Sequence, residues 1–329
     1  HLLIQATETS HHHQYKQQRQ KKRLLRLLRQ RMSFNEFLKR CKSNPWRVDR
    51  ETISGSPVPV IMGILNVTPD SFFDGGLYKN EDNALKHAIK LLDDGAKIID
   101  VGGESSRPGA SCVTAEEEIN RVVPVIKKLK PLSGSRSFFI SVDTTKAKTA
   151  KAALEAGAHI VNDVSMLSDE KMPQVIKDFD ASVIINHRRG NFSTMQKDFT
   201  PYQDVVKEVR KELLIAAEKL LQIGIPKEKI CLDPGICFGK TAKDNIDLIA
   251  NAEVLLQDGF ALLYGMSRKS YIAKIKGLES SDRLIPSLVS GLFAALGGVS
   301  ILRVHDVKET KETLALLEAF RKDGTIYAI

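Results

Sequence analysis

Residues 60–76 read VIMGILNVTPDSFFDGG, six apolar positions that run directly into a loop carrying Asn66, Thr68, Asp70, Ser71 and Asp74. Val60-Ile61-Met62-Gly63-Ile64-Leu65 is apolar on both faces, as a parallel strand covered on both sides must be. Asn66 stands where such a strand ends. Polar groups gathered at the C-terminal end of a parallel strand are the raw material of α/β active sites. An ordinary turn accounts for Pro69, the Gly75-Gly76 pair and one Asp. It does not require two carboxylates, two hydroxyls and an amide.

The pattern repeats along the chain. Short apolar runs at Val60–Leu65, Ile98–Val101, Phe138–Val142, His159–Asn162, Ser182–Asn186, Ile230–Leu232, Ala261–Tyr264 and Ile301–Val304 read as strands. Amphipathic stretches near 81–95, 114–130, 145–156, 169–178, 202–223, 243–257, 282–297 and 307–321 read as helices. Each gap between strands holds a helix, as parallel pairing demands. Eight such units over about 270 residues match a closed (β/α)₈ TIM barrel. A doubly wound open sheet requires a phosphate-binding glycine loop after an early strand, and none is present.

Polar residues collect at the predicted strand ends. Asn66, Asp100, Gly102-Gly103-Glu104, Asp143, Asn162-Asp163, His187-Arg188-Arg189, Asp233, Gly265 to Lys269, and Arg303 with His305 all fall at or just past one. In a barrel these ends converge on a single mouth. Carboxylates and amides there (Asp143, Asn162, Asp233) suit a flat, amide-bearing heteroaromatic ring. Arg303 and His305, after the last strand, suit a phosphate, with Arg107 of GESSRPGA closing on it from the far side. Asp163 and Asp306 also read as caps of the helices that follow, and His159 as a packed or surface histidine. Gly235-Ile236-Cys237-Phe238-Gly239-Lys240-Thr241 imitates a nucleotide-binding loop but has three residues between its glycines, where that motif needs four.

Composition bounds the rest. The chain has 329 residues, 42% hydrophobic, and a net charge of +9. Residues 1–50 carry 13 Lys+Arg against 3 Asp+Glu, so the remainder is nearly neutral. The charge therefore gives no reason to expect a nucleic-acid partner for the body of the protein. No apolar run reaches the length of a membrane span, and no membrane partner is expected. Cys41, Cys112, Cys231 and Cys237 form neither a zinc spacing nor a disulfide framework, which suits a reducing cytoplasm. The tract HHHQYKQQRQKKRLLRLLRQR (11–31) reads as a basic, flexible low-complexity extension. The alternatives are a phosphate-binding basic arm or an Arg-rich targeting peptide. The first methionine, Met32, suggests translated upstream sequence. Ser33 to Arg50 is expected to form a short amphipathic helix outside the main domain. The expected organisation is thus a 1–50 extension followed by one 51–329 barrel.

The motifs ILNVTPDSFFDGG, VGGESSRPGA, SVDTTK, IVNDVS, LDPGICFGK, GMSRKS and ILRVHDV, in this order from about Val60 to Thr310, resemble those of the dihydropteroate synthases. Other pterin-binding barrels, such as folate-dependent corrinoid methyltransferases, share the Asp and Asn contacts. GMSRKS, RVHD and the two long early loops point to the synthases. The resemblance implies a folate-pathway transferase joining 7,8-dihydropterin-6-ylmethyl diphosphate to 4-aminobenzoate, with Mg²⁺ assisting. It implies that Asp143, Asn162, Asp233 and Lys269 hold the pterin. Asn66, as metal contact, with Arg107, Arg303 and His305 would bind the pyrophosphate. Ser106, Pro108, Phe238 and Ser270 would line the aminobenzoate site. The implied catalytic residues are Asp233, Lys269 and Asp74, with Asp70 and Asp74 either acting in the chemistry or shaping a lid.

The family also suggests a homodimer built on the late helices. The residues preceding the barrel are too few for the pyrophosphokinase domain fused to some relatives, so a monofunctional chain is expected. Ser106 stands where Thr is common, Cys237 for Gly, Asn186 for Met, and Ile285-Pro286 for Gly-Ser. These changes leave the sulfonamide response open. A corrinoid-dependent methyltransferase and a non-catalytic paralogue are the alternatives; the second is disfavoured because Asn66, Asp233, Lys269 and Arg303 are all present.

Overall fold

The computed structural model describes residues 44–53, 58–68, 76–104, 113–190, 201–279 and 282–322, the side chains of 76–80 and 320–322 excepted. Arg47–Val48 (β1) and Glu51–Thr52 (β2) form a small antiparallel hairpin. Eight parallel strands then close into a barrel. They are Val60–Asn66 (β3), Ile98–Gly102 (β4), Phe139–Asp143 (β5), Ile160–Asp163 (β6), Ser182–Asn186 (β7), Ile230–Asp233 (β8), Ala261–Tyr264 (β9) and Ile301–Val304 (β10). Each pairs with the next in sequence, and β10 closes on β3 with Ile301 opposite Val60 and Val304 opposite Gly63.

The helices are Gly76–Asp94 (α1), Ala115–Arg136 (α2), Ala147–Ala156 (α3), Met172–Asp178 (α4), Val205–Gln222 (α5), Ala242–Ala250 (α6), Ala252–Leu256 (α7), Leu284–Leu296 (α8) and Val307–Lys322 (α9). Local chemistry explains where the boundaries differ from the sequence pattern. The helix expected over 243–257 breaks at Asn251, whose backbone leaves the helical region while its Nδ2 donates to the Asp247 carbonyl. Helix α2 runs through Pro131 to Arg136 instead of ending before the proline, and opens on a capping box between Thr114 and Glu117. Pro286 falls in the first turn of α8, where a missing N–H costs no helix hydrogen bond.

Alternation along the strands sorts side chains into two cores. Leu65, Ile99, Val101, Ile140, Val142, Val161, Ile185 and Leu232 face outward against the helices. Met62, Ile98, Phe139, Ile160, Ile184, Cys231, Leu263 and Ile301 face inward and fill the lower barrel. That lower layer is sealed by Trp46, Val48 and Ile53, with Trp46 fully buried and its Nε1 donating to the Lys229 carbonyl. Where Ser33–Arg50 is described, it is therefore not a helix outside the domain. Residues 44–50 turn into a strand that plugs the barrel, because Trp46 and Val48 gain more from that apolar floor than from an exposed amphipathic face. His159 is structural: its Nδ1 accepts from the Ile140 N–H, and its ring meets Phe139 edge-on.

Candidate active site

Two residues above the apolar layer, the same inward face becomes polar, since period two carries Ile98 to Asp100, Ser141 to Asp143, Ile160 to Asn162, Ile184 to Asn186, Cys231 to Asp233 and Ile301 to Arg303. These positions form the floor of the mouth. Arg303 links two carboxylates, with Nε 2.6 Å from Asp100 Oδ2 and Nη2 2.6 Å from Asp143 Oδ2. Asn162 Nδ2 donates to the same Asp100 oxygen at 3.0 Å. Across the floor, Asn186 Nδ2 donates to Asp233 Oδ2 at 2.8 Å and the Gly235 N–H to Asp233 Oδ1 at 2.7 Å.

The electrostatics follow from burial. Desolvation, reinforced by Asp100 and Glu118, pushes the Asp143 carboxyl up to about 7 against the pull of Arg303. Asp233 is raised by burial too, with Lys269 opposing. Although burial works against its charge, Arg303 is held firmly protonated by Asp100 and Asp143. Three buried acceptors on this inward face, Asp100 Oδ1, Asn162 Oδ1 and Asn186 Oδ1, have no hydrogen-bond donor among the described residues. Such acceptors are costly unless a partner bearing N–H groups meets them.

Above the floor lie the loops. Lys269 Nζ donates to the Ile236 carbonyl at 2.6 Å and sits 4.3 Å from the Phe238 ring centroid. Burial pulls this lysine down, and Cys237, Asp233 and Asp143 act in the other direction. Ser270 Oγ lies 3.8 Å from Cys237 Sγ, so the expected pterin lysine and two expected aminobenzoate residues share one corner. His305, exposed at the rim, places Nδ1 3.2 Å from Ser267 Oγ. Asn66 ends β3, exposed, opposite Gly102. Asp70, Asp74, Ser106, Arg107 and Pro108 lie outside the described residues.

Several expectations change. Asp163 does not cap a helix; its Oδ1 accepts from the Ser165 N–H and Oγ in a tight local turn. Arg268 forks onto Asp306. Gly102 belongs to the β4 ladder, and Gly103 gives α2 room, since a Cβ there would come 2.9 Å from Val122. The flank of the 105–112 loop is tied by Glu104, which accepts from the Val113 N–H and pairs with Lys146 at 2.6 Å. Lys146 also reaches Glu118, fully buried, whose Oε2 accepts from Thr144 and Thr149.

Sequence reasoning placed Asp100 at a strand end but gave it no role; its inward register with Asp143 was the available signal. Lys240 was set aside with the false nucleotide motif, and nothing in the pattern announced that its Nζ holds two loop carbonyls.

The chain matches the family described as pterin binding enzyme over residues 62–305. It is 43% identical over 261 residues to the dihydropteroate synthase of Escherichia coli strain K12, covering 79% of this chain and 91% of that enzyme. The Streptococcus pyogenes serotype M18 dihydropteroate synthase is 42% identical over 274 residues, 82% of this chain and 98% of the relative. Among solved structures, the Yersinia pestis dihydropteroate synthase in a sulfonamide complex superposes with a TM-score of 0.77 at 38% identity, covering 84% and 99% of the two chains. The Burkholderia cenocepacia dihydropteroate synthase complexed with 7,8-dihydropteroate gives 0.76 at 35% identity, covering 85% and 97%. With its closed barrel, its polar inward floor and these likenesses over most of its length, the chain belongs to the pterin-binding enzyme family, among the dihydropteroate synthases.

Proposed function

We infer that the chain is a dihydropteroate synthase of folate biosynthesis, condensing 7,8-dihydropterin-6-ylmethyl diphosphate with 4-aminobenzoate to 7,8-dihydropteroate and pyrophosphate. The observation that carries this reading is the set of buried acceptors without donors, Asp100 Oδ1, Asn162 Oδ1 and Asn186 Oδ1, beside Asp143 and Asp233. A pterin edge is rich in N–H donors and matches that demand.

In the reaction the bond from the pterin methylene carbon to the diphosphate oxygen breaks, and its electron pair leaves with the diphosphate. The aminobenzoate nitrogen supplies the pair for the new C–N bond and loses a proton. Positive charge develops on the carbon and is shared by the electron-rich ring, which Asp143, Asn162, Asp233 and Lys269 hold. Asp233 would support that charge electrostatically. Arg303 and His305, with Arg107, meet the departing anion. Phe238 and Ser270, with Ser106 and Pro108, receive the aminobenzoate, whose amine needs no nucleophilic Ser or Cys.

Mg²⁺ fits the donor set, since a single amide oxygen on Asn66 beside phosphate oxygens and water is a usual magnesium environment. When bound it neutralises charge on the leaving diphosphate. No cluster of three or more His, Cys, Asp or Glu suited to a metal occurs among the described residues.

Ile285, Val289 and Phe293 form an exposed apolar stripe on α8. It supports a homodimer through that helix, a second copy covering the stripe. No helix among the described residues is long and apolar enough to cross a membrane, and a cytoplasmic location suits the free thiols of Cys231 and Cys237.

The decisive experiment measures pyrophosphate release with both substrates for wild type, Lys269→Ala and Arg303→Ala. Mg²⁺-dependent release by wild type, reduced about a hundredfold or more in each variant, is expected from lost charge stabilisation. Absence of release from wild type overturns the reading, and methyl transfer from methyltetrahydrofolate in its place would establish the corrinoid-dependent alternative.

A further inference from the structure

The turn at 234–239, between β8 and α6, is built from carbonyls that point at two lysines. Ile236 O accepts from Lys269. Gly235 O and Phe238 O both accept from Lys240 Nζ, at 3.0 Å each. The third Lys240 donor reaches His187 Nδ1 at 2.9 Å. A donor on Nδ1 leaves the imidazole proton on Nε2, which lies 2.9 Å from Glu212 Oε2. Glu212 is gripped in turn by Arg189, whose guanidinium stacks 4.0 Å over the Tyr202 ring. Lys240 and His187 are both buried.

The turn needs holding. Gly235 and Gly239 take φ of +68° and +67°, and a Cβ on Gly235 would sit 1.8 Å from the His187 carbonyl oxygen. Cys237, between them, takes φ +71°, costly for a residue with a side chain. A buried ammonium is costly too, and burial pulls Lys240 down to about 7. Packing alone would be served by methionine. What a methionine lacks is two donors aimed at the turn and a third held by His187.

We propose that Lys240 is a positioning residue whose ammonium, oriented by the His187–Glu212 pair, fixes the 234–239 turn so that Phe238 faces the aminobenzoate and the Ile236 carbonyl meets Lys269. The proposal rests on the synthase reading and adds specificity to it. Of the groups assigned to the pterin, Asp143 and Asn162 stand on other strand ends, and Asp233 and Lys269 touch the turn only through the Gly235 N–H and the Ile236 carbonyl, whereas Phe238 is part of the turn itself, so the aminobenzoate responds more strongly to its loosening.

The test is steady-state pyrophosphate release with each substrate varied, for wild type, Lys240→Met and Glu212→Gln. Lys240→Met keeps the volume and removes the donors; it is expected to raise the KM for 4-aminobenzoate about tenfold, with the KM for the pterin diphosphate within about twofold. Glu212→Gln, partly exposed and easily accommodated, leaves an acceptor but removes the charge; a rise of about two- to fivefold for aminobenzoate alone is expected. Should Lys240→Met fail to fold, Glu212→Gln decides. An active wild type with unchanged aminobenzoate KM in the folded variants overturns the proposal, as does an equal change for both substrates. An inactive wild type instead overturns the synthase reading.

Discussion

At the residue scale the buried His187 ties acid stability to the architecture of the site. Burial, aided by Lys240, pulls its pKa from 6.5 down to about 4, so the native imidazole is neutral. Between these values His187 binds more protons in the unfolded chain than in the folded one, and its own contribution to stability is lost as pH drops through that window, by about 3 kcal/mol. Glu212, lowered to about 2 chiefly by its hydrogen bond with His187, extends the loss below 4.5. Asp143, raised to about 7, works in the opposite direction over the same window, so the check is the His187 ring itself: its NMR titration is expected well below 6.5, and a midpoint at or above 6.5 would refute the assignment. Cys237 offers a second test. Glycine at this position removes the side-chain penalty of φ +71°, and Cys237→Gly is expected to gain about 0.5–1 kcal/mol in urea unfolding. A loss would mean that the contact with Ser270 outweighs the backbone strain.

At the element scale, the strands were the most legible feature. A buried parallel strand reads as an uninterrupted apolar run, and all eight barrel strands overlap the runs seen in the sequence. The break at Asn251 was hidden because apolar spacing continues through it, and only the side-chain bond to Asp247 reveals the stop. The hairpin of β1 and β2 was hidden as well. It follows a basic tract, has no periodicity of its own, and exists because Trp46 finds the open end of the barrel. Trp46→Ala empties that seal and is expected to cost about 3–5 kcal/mol. Both substrate KM values should stay near wild type, since the plug lies at the opposite end from the mouth. Chemical unfolding and steady-state kinetics on one preparation check both halves; a large KM change would show that the lower layer shapes the site.

For the whole molecule, the polar ring at the strand ends was readable because a barrel brings all such ends together, whatever their distance in sequence. The partners within that ring were not. That Arg303 would bridge Asp100 and Asp143 requires knowing the register of β4, β5 and β10. The carbonyl-holding role of Lys240 involves backbone atoms, which leave no mark on residue type. The apolar stripe of α8 bears on assembly. Phe293→Asp is expected to convert a dimer into monomers in sedimentation velocity, with the monomer keeping its circular dichroism spectrum. A wild type that sediments as a monomer would remove the assigned role of that face.

The pairing of β3 with β10 joins Val60 to Ile301, roughly 240 residues apart. During translation at about 5–20 residues per second, the interval between emergence of the two strands is on the order of ten to fifty seconds. Throughout it, β3 can satisfy only the edge that faces β4, and its other row of N–H and C=O groups stays open to water or to a neighbouring chain. The nascent protein thus carries an adhesive seam on the ribosome until its last strand arrives. Conditions that slow elongation late in the message should lower soluble yield more than those that slow it early.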